Sequence, residues 1–188
     1  MIIAKIAHNI KSIAILLSIA VLFSCGNDIN EVSDFLADKN LPIAITKHIS
    51  LVYTDSGYVK NKLKAPLLHN FENRVKHPYQ EFSKGIKITR FDKNNDSTTI
   101  TADYAVTYGN TEISEIKKNV IVFNHSKNLT LKTKQLFWDQ KENYFYSSKK
   151  ATLTSLKDTL IGLEGFDSNA DLTNAVMMNN SGTLYIDE

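Results

Sequence analysis

The chain has one cysteine, three prolines and seven glycines among 188 residues, and each scarcity removes a class of protein. A lone cysteine allows no intrachain disulfide, so the fold must hold without covalent staples. Sparse glycine and proline exclude a linker or a collagen-like chain. There is no glycine-rich phosphate loop. None of His8, His48, His69, His77 and His125 forms the i, i+4 pair with a neighbouring glutamate that a helical zinc site needs. Asp55-Ser56-Gly57 lacks the first glycine of a nucleophile elbow and reads as a turn. Asp92, Asn94 and Asp96 alternate as at the start of a calcium loop, but no glycine holds the sixth place and no glutamate the twelfth. A hairpin turn is the better reading. No catalytic residue, metal ligand or cofactor site is therefore expected, and a hydrolase has no acid, base or nucleophile set to rest on.

What is present begins at the N-terminus. Lys5 and Lys11 precede the apolar run Ile13 to Phe23, which ends in Leu22-Phe23-Ser24-Cys25. A basic stretch before a short apolar one reads as a secretory signal. The run is shorter than the roughly 20 residues of a membrane-crossing helix. The small Ser24 before Cys25 looks like a bacterial lipoprotein signal, whose cysteine becomes the lipid-bearing terminus. On that reading residues 1–24 are the signal peptide and Cys25 is the lipid attachment site. Removing the leader removes Lys5 and Lys11 and no acid, so 22 bases fall to 20 against 20 acids. A neutral body with interspersed signs argues against a nucleic-acid binder. Residues 25–47 read as a tether or spacer with one short helix over Val32 to Ala37, and residues 48–188 as the folded domain.

From Ile49 onward apolar residues recur with period two, the mark of half-buried antiparallel strands. Ile86, Ile88 and Arg90 alternate with Lys87, Thr89 and Phe91. Ile100, Ala102, Tyr104, Val106 and Tyr108 are expected to share one face. Leu129, Leu131 and Thr133 oppose Thr130, Lys132 and Lys134. Turn signals punctuate the strands at Asp92–Asp96, Gly109-Asn110, Ser126–Asn128, Gln140–Asn143 and Leu156–Asp158. The pattern predicts an all-β sandwich, barrel or roll. A weak internal repeat relates Thr99–Ala105, Thr130–Leu136 and Leu160–Phe166 at steps of about 30 residues, with Leu63–Leu67 as a more distant copy. Aromatic residues are spread over most strands. They suit either a closed core or an apolar groove open to a lipid tail, and periodicity alone does not choose between the two.

Several motifs in order carry a resemblance: Tyr53–Lys60, Leu63–Leu67, Pro78–Ile86, Thr101–Ala105, Lys118–Val122, Leu131–Gln140 and Gly165–Ser168. Together they resemble the LptC family, the periplasmic component of lipopolysaccharide export, in its Bacteroidota lipoprotein form. The resemblance implies an open-ended antiparallel β-jellyroll of the OstA/LptA kind, with no enzymatic activity and no cofactor. It implies lipopolysaccharide as ligand, with an inner-membrane ABC transporter upstream and a periplasmic LptA-like bridge protein downstream. It also implies a periplasmic location; the lipid anchor is the leader's reading, and the inner membrane is the expected site because the implied partner is there. The chain departs from many family members by ending its leader in Ser24-Cys25. The residues expected to face acyl chains are Ala65, Leu67, Phe82, Ile86, Ile88, Ala102, Tyr104, Val106, Leu131 and Leu163. Lys84 and Lys87 are expected at the rim, either meeting lipid phosphates or standing as solvated surface. The strand Ser50 to Tyr53 is expected to face the transporter, and Gly182 to Ile186 to donate an edge to the next protein. The rival reading is a structural or adhesive envelope lipoprotein with a closed sandwich and no ligand.

Overall fold

The structure is a computed structural model that describes residues 39–183. The signal segment, Cys25, the helix expected over Val32–Ala37 and the last residues of the strand expected to reach Ile186 lie outside the described residues. Alternation of apolar and polar side chains over short turn-bounded runs produces strands throughout. They are β1 (Ala44–Asp55), β2 (Tyr58–Phe71), β3 (Tyr79–Phe82), β4 (Ile86–Phe91), β5 (Ser97–Ala102) and β6 (Tyr104–Tyr108). They continue as β7 (Ile113–Asn124), β8 (Leu129–Asp139), β9 (Tyr144–Ser147), β10 (Ala151–Thr154), β11 (Thr159–Asn169) and β12 (Ala175–Thr183). No helix occurs among the described residues. β1 takes in the last residues of the segment read as a tether.

All twelve strands belong to one antiparallel sheet, and the sheet is folded along a crease into two layers. The long strands cross the crease and change partner there. β2 pairs with β4 through Asn61–Lys64 and with β3 through His69–Phe71. β7 pairs with β6 from Ile113 to Lys117, and with β5 from Ile121 to Asn124. β8 passes from β10 to β9, and β11 from β10 to β9 in turn. The short strands fill one layer each: β4, β5 and β10 in layer I, and β3, β6 and β9 in layer II. β3 with β4, β5 with β6, and β9 with β10 each make one interrupted pass across the crease. Counted as passes, chain neighbours are sheet neighbours, so the fold is a meander, an antiparallel jellyroll left open at β1 and β12.

The crease is built from backbone that a flat strand does not allow. His48, Gly85, Lys118, Asn119, Gly165 and Asn179 have positive φ, and the ladder slips between Lys117 and Val120 and between Gly162 and Gly165. An extra residue in one strand bends it and re-aims the side chains beyond the bend. Asp103 makes the same corner between β5 and β6. Its N–H donates to the Lys118 carbonyl at 3.0 Å, and its carboxylate accepts from Asn119 Nδ2 at 2.6 Å. The strand expected to run unbroken from Ile100 to Tyr108 is thus two strands with opposite phase. Ile100, Ala102 and Ala105 point inward, while Tyr104 and Val106 lie on the other face of β6.

The internal repeat has a structural basis. Leu63–Leu67, Thr99–Ala105, Thr130–Leu136 and Leu160–Phe166 all cross the crease in the same direction, from layer I to layer II. The buried residues flanking the crossing are three apart at Ala65/Leu68, Ala102/Ala105 and Thr133/Leu136. On the return passes they are four apart at Phe82/Ile86, Ile116/Val120 and Ser147/Ala151.

Between the layers Ile100, Ile116, Leu131, Leu136, Phe145 and Phe166 are fully buried, and burial of each such side chain stabilises by about 1.5–3 kcal/mol. Gly165 shows how little room the crease leaves. A Cβ there would lie 2.1 Å from the Ser147 carbonyl oxygen, on backbone with φ +127°. Gly165→Ala is expected to cost about 2–4 kcal/mol, read as a lower urea midpoint at unchanged slope. A loss under about 0.5 kcal/mol would mean that the crease yields.

Candidate functional site

The two layers meet at the crease and separate toward their turns, and the two flanks of the resulting wedge differ. On the flank of β11 and β12 it is shut. The turn after β11 drives Ala170 and Leu172 into the core, and Asn124 of layer I donates from Nδ2 to the Asp171 carbonyl of layer II at 2.6 Å. On the flank of β1 to β4 it is open, as a cleft of about 620 Å³. That volume lies within the range of small-ligand pockets, roughly 300–1,000 Å³.

The cleft follows from strand phase. Inward positions of β1, β2 and β4 supply Leu51, Tyr53, Leu63 and Ile88, and layer II supplies Phe82 and Trp138. β1 is an edge strand with no outer neighbour among the described residues. Leu51 and Tyr53 are accordingly 50% and 62% exposed, an apolar lip of a kind that soluble monomers seldom leave uncovered. Nearer the turns the lining becomes polar. Thr107 and Ser114 share a hydrogen bond at 2.8 Å, and Gln140 Nε2 donates to Ser114 Oγ at 2.8 Å. Arg90 and Asn61, paired across β4 and β2, face the same space. Two buried polar atoms on this wall, Trp138 Nε1 and Asn61 Oδ1, have no hydrogen-bond partner among the described residues. Such groups ordinarily find one.

Of the residues expected from sequence to face acyl chains, Ala65, Phe82, Ile86, Ile88, Ala102 and Leu131 are brought together between the layers, and Phe82 and Ile88 line the cleft itself. Four others are not brought there. Leu67 sits half-buried at the crease, between the inward Ala65 and Leu68. Tyr104 and Val106 are turned to the opposite face by the phase change at Asp103. The Tyr104 hydroxyl donates to Glu81 at 2.7 Å on the outer face of layer II. Burial and that carboxylate hold the phenol proton well above its usual range. Leu163 is carried out by the bulge between Gly162 and Gly165 and is 46% exposed. Lys84 and Lys87 border a separate groove of about 500 Å³ floored by Ile49, Ala65 and Ile86.

Sequence reasoning passed over Leu63, Trp138 and Asn61 as site residues. Trp138 is obscured by the phase break at Lys134, since Leu129, Leu131 and Thr133 are inward and so are Leu136 and Trp138. Asp92 is a turn residue. Its carboxylate accepts from the Asn94 and Asp96 N–H groups, each at 2.8 Å, so the calcium-like spacing is a hairpin. Among the described residues no group of three or more His, Cys, Asp or Glu is placed to hold a metal ion.

Comparison with protein families matches residues 13–185 to a family described as lipopolysaccharide-assembly, LptC-related. No curated protein matches the chain.

Proposed function

Because the chain belongs to the LptC family, whose members serve lipopolysaccharide transport at the periplasmic side of the inner membrane, we propose that it is a non-enzymatic conduit with the cleft as its binding site. Cys25, lipid-modified after cleavage of residues 1–24, tethers the domain to the inner membrane through the segment 25–47. The domain takes lipopolysaccharide from the ABC transporter and passes it to an LptA-like bridge protein.

The observation that carries this reading is the one-sided wedge. An apolar interior in which Phe82, Ile88, Leu63 and Trp138 meet an open flank offers acyl chains a wall without catalytic groups. Each methylene moved from water onto it is worth about 0.8 kcal/mol. Ala65, Ile86, Ala102 and Leu131 form the apolar bed behind. The edges of β1 and β12, unpaired among the described residues, suit strand addition, in which main-chain hydrogen bonds join two rolls. The β1 edge through Ser50–Tyr53 faces the transporter, and the β12 edge, from Gly182 toward Ile186, meets the bridge.

A photo-crosslinking amino acid tests the assignment in cells. At position 88 it is expected to yield a lipopolysaccharide adduct. At position 87, one residue along and on the outer face, it is expected to yield none. Adducts at 87 without adducts at 88 would reject the cleft as the conduit, and a rival closed sandwich would give none at either.

A further inference from the structure

The cleft does not end where its apolar wall ends. It shares Asn61, Arg90, Gln140 and Asn143 with a second cavity of about 580 Å³ lined by Lys60, Lys93 and Lys141; among the described residues Asp92 is the one carboxylate on that cavity's wall and Glu112 the one on the cleft's. The two cavities are thus halves of one amphiphilic space, apolar between the layers and cationic where the turn after β4 faces the turn after β8.

Arg90 stands at the junction. It occupies an inward position of β4, in phase with Ile86 and Ile88, and is half-buried. Its guanidinium makes no hydrogen bond and no ion pair among the described residues. Burial pulls its pKa below the ordinary value, against the raising effect of Asp171 and Asp92, yet an arginine stays charged in proteins. Neither carboxylate reaches ion-pair distance of Arg90, and one oxygen of each is hydrogen-bonded elsewhere. Asp92 holds its own turn, and Asp171 Oδ1 accepts from the Thr173 N–H and hydroxyl at 3.0 and 2.6 Å. A half-buried guanidinium that lines an open cavity with its five donors unpaired presents a fork that matches a planar or tetrahedral anion.

We propose that Arg90, with Lys60, Lys93 and Lys141 around it, is the phosphate-binding end of the cleft, so that an amphiphile lies with its acyl chains between the layers and its phosphorylated head group at the paired turns. The proposal rests on the conduit reading and assigns that ligand an orientation. It also separates the roles of the lysines. Lys84 and Lys87, on the other groove, take no part.

The test uses the full-length lipoprotein in non-ionic detergent and three probes: phosphorylated lipid A, the same lipid with its phosphates removed, and inorganic phosphate. Wild type is expected to bind the phosphorylated lipid at least about tenfold more tightly than the dephosphorylated one, the scale of a charge-assisted hydrogen bond. Arg90→Gln should erase most of that difference and leave the dephosphorylated lipid unchanged. Lys93→Gln, on the exposed turn, should reduce it less, and Lys84→Gln not at all. Equal binding of both lipids by wild type, or equal loss of both in Arg90→Gln, would overturn the phosphate site while the conduit reading stands. Binding of inorganic phosphate as tightly as the phosphorylated lipid would assign the site to a free anion and overturn the orientation. Failure of wild type to bind either lipid would overturn both proposals.

Discussion

Leu63→Asp is expected to abolish recovery of lipopolysaccharide with the protein while leaving it folded. Leu63 is an inward residue of β2 on the open flank, partly buried and packed against the core. In the lipid-free protein a carboxylate at this position reaches water through the cleft, so the cost is chiefly the lost apolar contact, about 1–2 kcal/mol. With acyl chains in place the same carboxylate must be stripped of water against hydrocarbon, and an unpaired buried charge costs far more than the leucine contacts it replaces. The expected loss of affinity is at least about a hundredfold, or roughly 2.7 kcal/mol. The control applies the same chemistry on the other face. Ile121 of β7 is 38% exposed on the outer side of layer I, and Ile121→Asp should leave lipid recovery at the wild-type level. Equal loss in both variants would mean that acidity anywhere on layer I disturbs the protein and that position 63 is not special. Undiminished recovery in Leu63→Asp would place the acyl chains elsewhere.

The strands were legible in the sequence and the crease was not. Period-two alternation needs only local pattern, and it marks Ile86, Ile88 and Arg90 as one face of β4, where the structure has them. The turns at Asp92–Asp96, Ser126–Asn128 and Gln140–Asn143 form where expected, their backbone N–H groups held by Asp92, by Asn124 at the end of β7 and by Asp139 at the end of β8. The crease depends instead on single residues of unusual φ. Lys118 has no intrinsic preference for left-handed backbone, so nothing in its identity announces the corner. Asn119 and Asn179 tolerate that backbone more readily, but so do the asparagines of the ordinary turns. The consequence is a phase error. A strict alternation carried from Ile100 through Asp103 puts Tyr104 and Val106 inside and Ala105 outside, the reverse of their positions in β6. The same error hid Trp138 beyond Lys134. The spacing of three between Ala102 and Ala105, and between Thr133 and Leu136, was visible in the repeat, but only the pairing of both layers gives it meaning.

Leu172→Ala is expected to be among the most destabilising single substitutions in the domain, because this residue shuts the flank opposite the cleft. Its side chain is 2% exposed within the core cluster, and its backbone has φ +65°, a conformation that a bulky residue adopts only when its surroundings enforce it. The enforcement is visible on both sides. The Leu172 N–H donates to the Asn169 carbonyl at 3.0 Å, and Asn124 clamps the neighbouring Asp171 carbonyl across the wedge. Alanine keeps the strained backbone and removes the side chain that anchors it. The cavity and lost transfer terms together come to about 3–5 kcal/mol, a large part of the roughly 5–15 kcal/mol that a domain ordinarily holds. Leu172→Met retains the volume and is expected to cost under about 1.5 kcal/mol. Urea unfolding of the two variants separates the cases. A loss below about 1 kcal/mol for alanine would show that the turn is not held by its buried side chain. Asn124→Ala supplies a second reading of the same closure. It removes the donor to the Asp171 carbonyl, together with the acceptor that holds the Ser126 and Lys127 N–H groups, and should cost about 1–3 kcal/mol. Losses in Leu172→Ala and Asn124→Ala should add to less than their sum in the double variant, since each releases the turn that the other holds.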